Sequence, residues 1–111
     1  MSRDPHERLR DILDAVQAIE SHVGGSLHEP ELAPEVALHA VLFNLMVIGE
    51  AAKHVDAELR RRAPEVRWED MAGLRDIISH QYFRIRTQMI QDTVRRELPE
   101  LKASLERLLA S

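Results

Sequence analysis

Apolar residues recur at helical spacing along most of the chain, broken at a few places by glycine and proline. Leu9, Ile12, Leu13, Val16, Ile19 and Val23 predict a first amphipathic helix. Asp4 supplies its N-cap and Pro5 its first helical position, while Gly24 and Gly25 form the expected stop. From Gly24 to Ala33 the period fades around Pro30, which predicts a loop.

A second helix is predicted from Pro34 to about Arg62, carried by Val36, Ala37, Ala40, Val41, Val47, Ile48, Ala51, Val55 and Leu59. Its middle is apolar on nearly every side, so it is either the central helix of a bundle or one that also meets a second subunit. Gly49, Ala51 and Ala52 leave room for another helix to approach closely. Asn44 and Glu50 interrupt the apolar surface; they either support a site or point to the rim of the bundle. Ala63 and Pro64 break the pattern, and Trp68, the only tryptophan, begins a short helix through Met71, Leu74, Ile77 and Ile78 as a core anchor. The last helix is expected from about Thr87 to Leu109, with Pro99 kinking it or dividing it in two. No strand pattern, internal repeat or glycine-rich phosphate loop stands out, and residues 1–111 read as a single all-α domain.

Composition narrows the chemistry. With 44% hydrophobic and 31% charged residues the chain is globular rather than disordered. The absence of cysteine excludes disulfides, zinc–thiolate sites and cysteine nucleophiles. The N-terminus, MSRDPHERLRD, lacks the apolar run of a signal peptide, and the run from Val36 to Ile48 is too short and too interrupted to span a membrane. A cytoplasmic protein is therefore expected. The net charge of −4 is unevenly spread: residues 1–59 carry four Lys/Arg against eleven Asp/Glu, whereas residues 60–96 carry nine against five. Arg60, Arg61, Arg62, Arg67, Arg84, Arg86, Arg95 and Arg96 thus supply either a local positive field for a polyanion or ordinary solvated helix faces.

That basic surplus surrounds Leu74 to Phe83, LRDIISHQYF, where Arg75, Asp76, His80 and Tyr82 fall within eight residues. An arginine grips a phosphate through two hydrogen bonds, and a histidine exchanges a proton near neutral pH. Asp76 and His80 lie one turn apart on one helix face, so Asp76 is placed to orient the imidazole. Arg75 and His80 are separated by roughly 140° on an ideal helix, so their convergence requires a helix end or a neighbouring subunit. The competing reading makes Arg75 a surface ion-pair partner of Asp76 or Glu69, and His80 a polar helix terminus. Glu35 with His39, and Glu50 with His54, are four apart, whereas the di-metal bundle signature uses Glu-x-x-His; they read as helix-surface pairs, and neither metal nor other cofactor is expected.

Taken together, the opening helix, IGEAA at Ile48 to Ala52, W-x-x-x-x-G-L-R-D from Trp68 to Asp76, Arg-x4-His-x-Tyr at Arg75, His80 and Tyr82, and ELPEL from Glu97 to Leu101 resemble the HepT-like toxins of the HEPN superfamily. The resemblance covers nearly the whole chain. It implies an all-α HEPN-type bundle of four to five helices forming a two-fold homodimer, and a metal-independent endoribonuclease toxin of a type VII (HEPN/MNT) toxin–antitoxin system. It puts Arg75 and His80 in the active site, Asp76 in support, and Tyr82 as the residue to which an MNT-type nucleotidyltransferase antitoxin attaches AMP. Asp76 stands where many relatives have Asn, which brings a negative charge near the phosphate.

The chemistry is self-consistent. RNA is cut without metal when a base takes the ribose hydroxyl proton, an acid protonates the leaving oxygen and a cation stabilises the phosphorane, leaving a cyclic phosphate. One motif supplies one histidine, and a two-fold dimer supplies two. The rival readings are a non-catalytic HEPN-type dimeric module that binds the nucleotidyltransferase, and a metal-dependent bundle enzyme.

Overall fold

The computed structural model describes residues 4–31 and 35–110. Helix α1, Pro5–His22, begins as the sequence predicts: the Asp4 carboxylate accepts from the His6 amide at 2.9 Å, with Pro5 in the first turn. It ends one step before the glycines, at an extended Val23. Gly24–Gly25 (β1) and Pro30–Glu31 (β2) then pair as a minimal antiparallel ladder, which the weak periodicity of this stretch did not predict. The turn between them buries Leu27, and the Gln91 side chain donates to the Pro30 carbonyl at 3.1 Å, holding the ladder against the C-terminal helix.

Helix α2, Glu35–Ala52, is shorter than its pattern implied. Pro34, expected to start it, lies outside the described residues, as do the side chains of Glu35, Val36 and Ala37. The chain breaks at Lys53–Asp56 and resumes as α3, Ala57–Arg61. Two side chains explain the break. Asp56 caps α3 by accepting from the Leu59 amide at 2.9 Å, and Arg60 folds back to donate to the Ala52 and Val55 carbonyls at 2.7 and 3.2 Å. Apolar periodicity continues through the break because Val55 within it and Leu59 after it are both buried.

Helix α4, Trp68–Gln81, carries the motif and passes into a 3₁₀ turn at Tyr82–Arg84. Trp68 is buried, its indole N–H donating to the Ala63 carbonyl at 3.0 Å. Helix α5, Thr87–Ala110, runs through Pro99 as one helix rather than two, its buried stripe of Ile90, Val94, Leu98, Leu101, Leu105 and Leu108 unbroken on either side. The core is formed where α2 packs on α1 and α4, and α5 closes over α1. The all-α bundle expected from the sequence is thus the architecture observed, with the short ladder as its one departure among the described residues.

Gly49 sets the distance between α2 and α4. A Cβ built there would lie 2.8 Å from the Arg75 amide nitrogen and 3.1 Å from the Met71 carbonyl oxygen, so the α4 backbone rests directly on the glycine. The small residue in IGEAA therefore serves the packing of the helix that bears the motif.

Candidate active site

The motif side chains gather around the second half of α4. His80 is exposed in its last turn, and its Nδ1 lies 2.7 Å from the Asp76 carbonyl oxygen. A carbonyl only accepts, so Nδ1 carries the hydrogen, and the neutral ring presents an unprotonated Nε2 to solvent. Asp76 therefore orients His80, but through its main chain. The Asp76 carboxylate points elsewhere, 3.6 Å from Lys53 Nζ.

Arg75 is half exposed and pairs neither with Asp76 nor with Glu69; its Nε lies 3.8 Å from the Glu50 carboxylate. Glu50 also approaches Lys53 at 4.0 Å and His54 at 3.8 Å. Glu50 thus belongs to the site, and two cations and two carboxylates, Arg75, Glu50, Lys53 and Asp76, form a chain across the α2–α4 seam. Lys53 escaped the sequence reading because it stands in the turn after α2, where no periodicity marks it. Its place three residues after Glu50, just beyond IGEAA, was the available signal. Asn44 donates to the Ala40 carbonyl at 2.9 Å and lines an open groove of about 460 Å³ between α1 and α2, with Arg8, Phe43 and Glu50.

The helix is continuous from Arg75 to Gln81, so Arg75 and His80 project roughly 140° apart. One chain does not place them on a common face. Tyr82, at the start of the 3₁₀ turn, is 46% exposed and stands 6.3 Å from the His39 ring and 5.5 Å from Phe83.

The basic surplus is partly consumed by structure. Arg60 caps α2, Arg61 pairs with Glu58, Arg67 with Asp70 and Glu97, and Arg95 with Asp92. Arg84 and Arg86, next to the motif, are exposed and make no ion pair among the described residues.

A family model for HepT-like ribonucleases matches residues 12–108, which is nearly the whole chain. The chain belongs to the HepT-like ribonuclease family. It is 33% identical over 108 residues to a Thermococcus cleftensis protein named "probable ribonuclease HepT", an alignment covering 97% of this chain and 98% of that protein. It is 31% identical over 107 residues to a Caldanaerobacter subterraneus protein named "putative RNase", covering 96% of each, and 31% identical to a Methanocaldococcus jannaschii protein of the same description, covering 96% of this chain and 88% of that one. No solved structure gives a significant match. Among the described residues of this HepT-like chain, no helix is long and apolar enough to cross a membrane.

Proposed function

We propose that this HepT-like protein is a metal-independent endoribonuclease whose active site is completed by a second copy of the chain. The observation that carries the reading is the His80 geometry: Nδ1 is tied to the Asp76 carbonyl at 2.7 Å, which leaves Nε2 facing outward as a proton acceptor. Family membership and the names of the relatives supply RNA as the substrate class.

His80 takes the proton from a ribose 2′-hydroxyl as the 2′-oxygen attacks the adjoining phosphorus. The bond from phosphorus to the 5′-oxygen breaks, and that oxygen receives a proton from the His80 of the second copy. The products are a 2′,3′-cyclic phosphate and a 5′-hydroxyl. Arg75 neutralises the charge that builds on the phosphorane oxygens. The roughly 140° between Arg75 and His80 on α4 supports a two-fold arrangement, in which each cleft takes groups from both chains.

Tyr82 is the only tyrosine and half exposed beside the motif, which suits it to accept AMP from an MNT-type nucleotidyltransferase antitoxin. A nucleotide there places bulk and negative charge where RNA must enter. The test is threefold: analysis of product ends for cyclic phosphate, sedimentation for the dimer, and intact mass after incubation with such a nucleotidyltransferase and ATP. 5′-Phosphate with 3′-hydroxyl ends, a monomer that cuts at full rate, or AMP on a Tyr82→Phe variant would each contradict the corresponding part.

A further inference from the structure

Phe83 is 99% exposed, an unusual position for a large aromatic side chain with no polar atom. It does not sit on a loose tip. It lies in the 3₁₀ turn Tyr82–Arg84, held from before by α4 and from behind by Ile85, which is half-buried against the core and donates its amide to the Tyr82 carbonyl at 3.5 Å. Tyr82 meets Phe83 edge to face, with ring planes 87° apart, an arrangement that occupies at most one face of the Phe83 ring. On either side of Ile85 stand Arg84 and Arg86, exposed and unpaired by any carboxylate among the described residues. No acidic residue occurs between Asp76 and Asp92.

We propose that Phe83, Arg84 and Arg86 form a subsite for an unpaired nucleotide of single-stranded RNA, next to the phosphate that the motif acts on. The base stacks on the free face of Phe83, and the two guanidinium groups take flanking phosphates. An aromatic ring set in an uncompensated cationic track is the arrangement that binds single-stranded nucleic acid without reading its sequence, because every base has a π-face. A duplex keeps its bases stacked on one another and has no face to offer. A protein partner would be better served by a continuous apolar surface than by a ring flanked by two unpaired arginines. The inference rests on the ribonuclease reading and adds to it a preference for unpaired RNA and the residues that impose it.

The test is fluorescence anisotropy with a labelled 2′-O-methyl oligoribonucleotide, which lacks the attacking hydroxyl, as a single strand and as a duplex. The proteins compared are the full wild-type chain, Phe83→Leu, Phe83→Trp and the Arg84→Ala/Arg86→Ala double variant. Wild type should prefer the single strand, Phe83→Leu should weaken that binding about tenfold, and Phe83→Trp should retain it. The double variant should weaken it and flatten the salt dependence by a log–log slope of about 1.4. Unchanged affinity in Phe83→Leu overturns the proposal, and so does a changed sedimenting mass with unchanged RNA binding, which would make this face a contact between copies. The two readings fail separately. If wild type binds RNA through Phe83 yet cuts none, the subsite stands and the ribonuclease reading falls; if wild type cuts and Phe83→Leu cuts with unchanged KM, the reverse holds.

Discussion

The His80 imidazole donates from Nδ1 to the main-chain carbonyl of Asp76 across 2.7 Å, so the residue one turn before the histidine orients it without using its own side chain. Asp76→Asn keeps that carbonyl and removes a negative charge from the neighbourhood of the phosphate proposed to bind there. Its kcat/KM for RNA should change by less than about tenfold, equivalent to about 1.4 kcal/mol. A loss on the order of a hundredfold or more would show that the carboxylate itself takes part in proton transfer.

Arg75 presents a planar fork that a lysine does not reproduce. Replacing it with Ala should lower kcat by about 10²–10³, the scale of removing one charge-stabilising donor, and Lys should recover only part of this. Steady-state cleavage of a defined single-stranded RNA gives the comparison. Full activity in Arg75→Lys would reduce the residue to a general positive charge.

Gly49 can be tested by size alone. An alanine Cβ at 2.8 Å from the Arg75 amide nitrogen must push α4 away from α2. Gly49→Ala should therefore cost about 1–3 kcal/mol, or roughly 4–8 °C in Tm for each kcal/mol. Thermal unfolding checks the cost; an unchanged Tm would mean the seam yields freely.

How far these features were legible in the sequence depends on what fixes each one. Periodicity predicted α1, α4 and α5 because each has a polar face, and Asp4–Pro5 marked the first start because the cap is local. The end of α2 was missed because it is set by Arg60 reaching back eight residues to Ala52, a contact without periodic trace, while buried Val55 and Leu59 kept the apolar rhythm going. Pro99 does not divide α5: it removes one hydrogen bond, but buried residues on both sides hold the helix together. At the site, Arg75, Asp76, His80 and Tyr82 were recognisable as a cluster, since their spacing lies within one segment. Lys53 and the Arg75–Glu50 pair arise from the packing of α2 on α4, which a linear pattern does not contain.

The far end of α5 offers a pH-dependent check on the fold. Glu65 accepts hydrogen bonds from the buried Ser104 hydroxyl and from Arg107, and these hold its carboxyl below the usual range, the Ser104 bond foremost. A carboxylate with a lowered folded pKa stabilises the native state above its unfolded value of 4.5, and the benefit is lost as pH falls through the folded value. Ser104→Ala should therefore destabilise the protein by about 1 kcal/mol near pH 7, with the difference shrinking below pH 4.5. Urea titrations at several pH values measure it, and a difference constant from pH 7 to pH 3 would contradict the assignment.

Proton transfer by His80 is the step on which the proposed metal-free RNA cleavage turns. Its most direct measurement is cleavage of a mixed tRNA and mRNA pool in excess chelator, with wild type and His80→Ala prepared identically and intact mass confirming that Tyr82 carries no nucleotide. Cleavage by wild type alone, with cyclic-phosphate ends, is the predicted result. No cleavage by the unmodified wild type, or equal cleavage by His80→Ala, would contradict the account and leave the motif as a recognition surface for a partner.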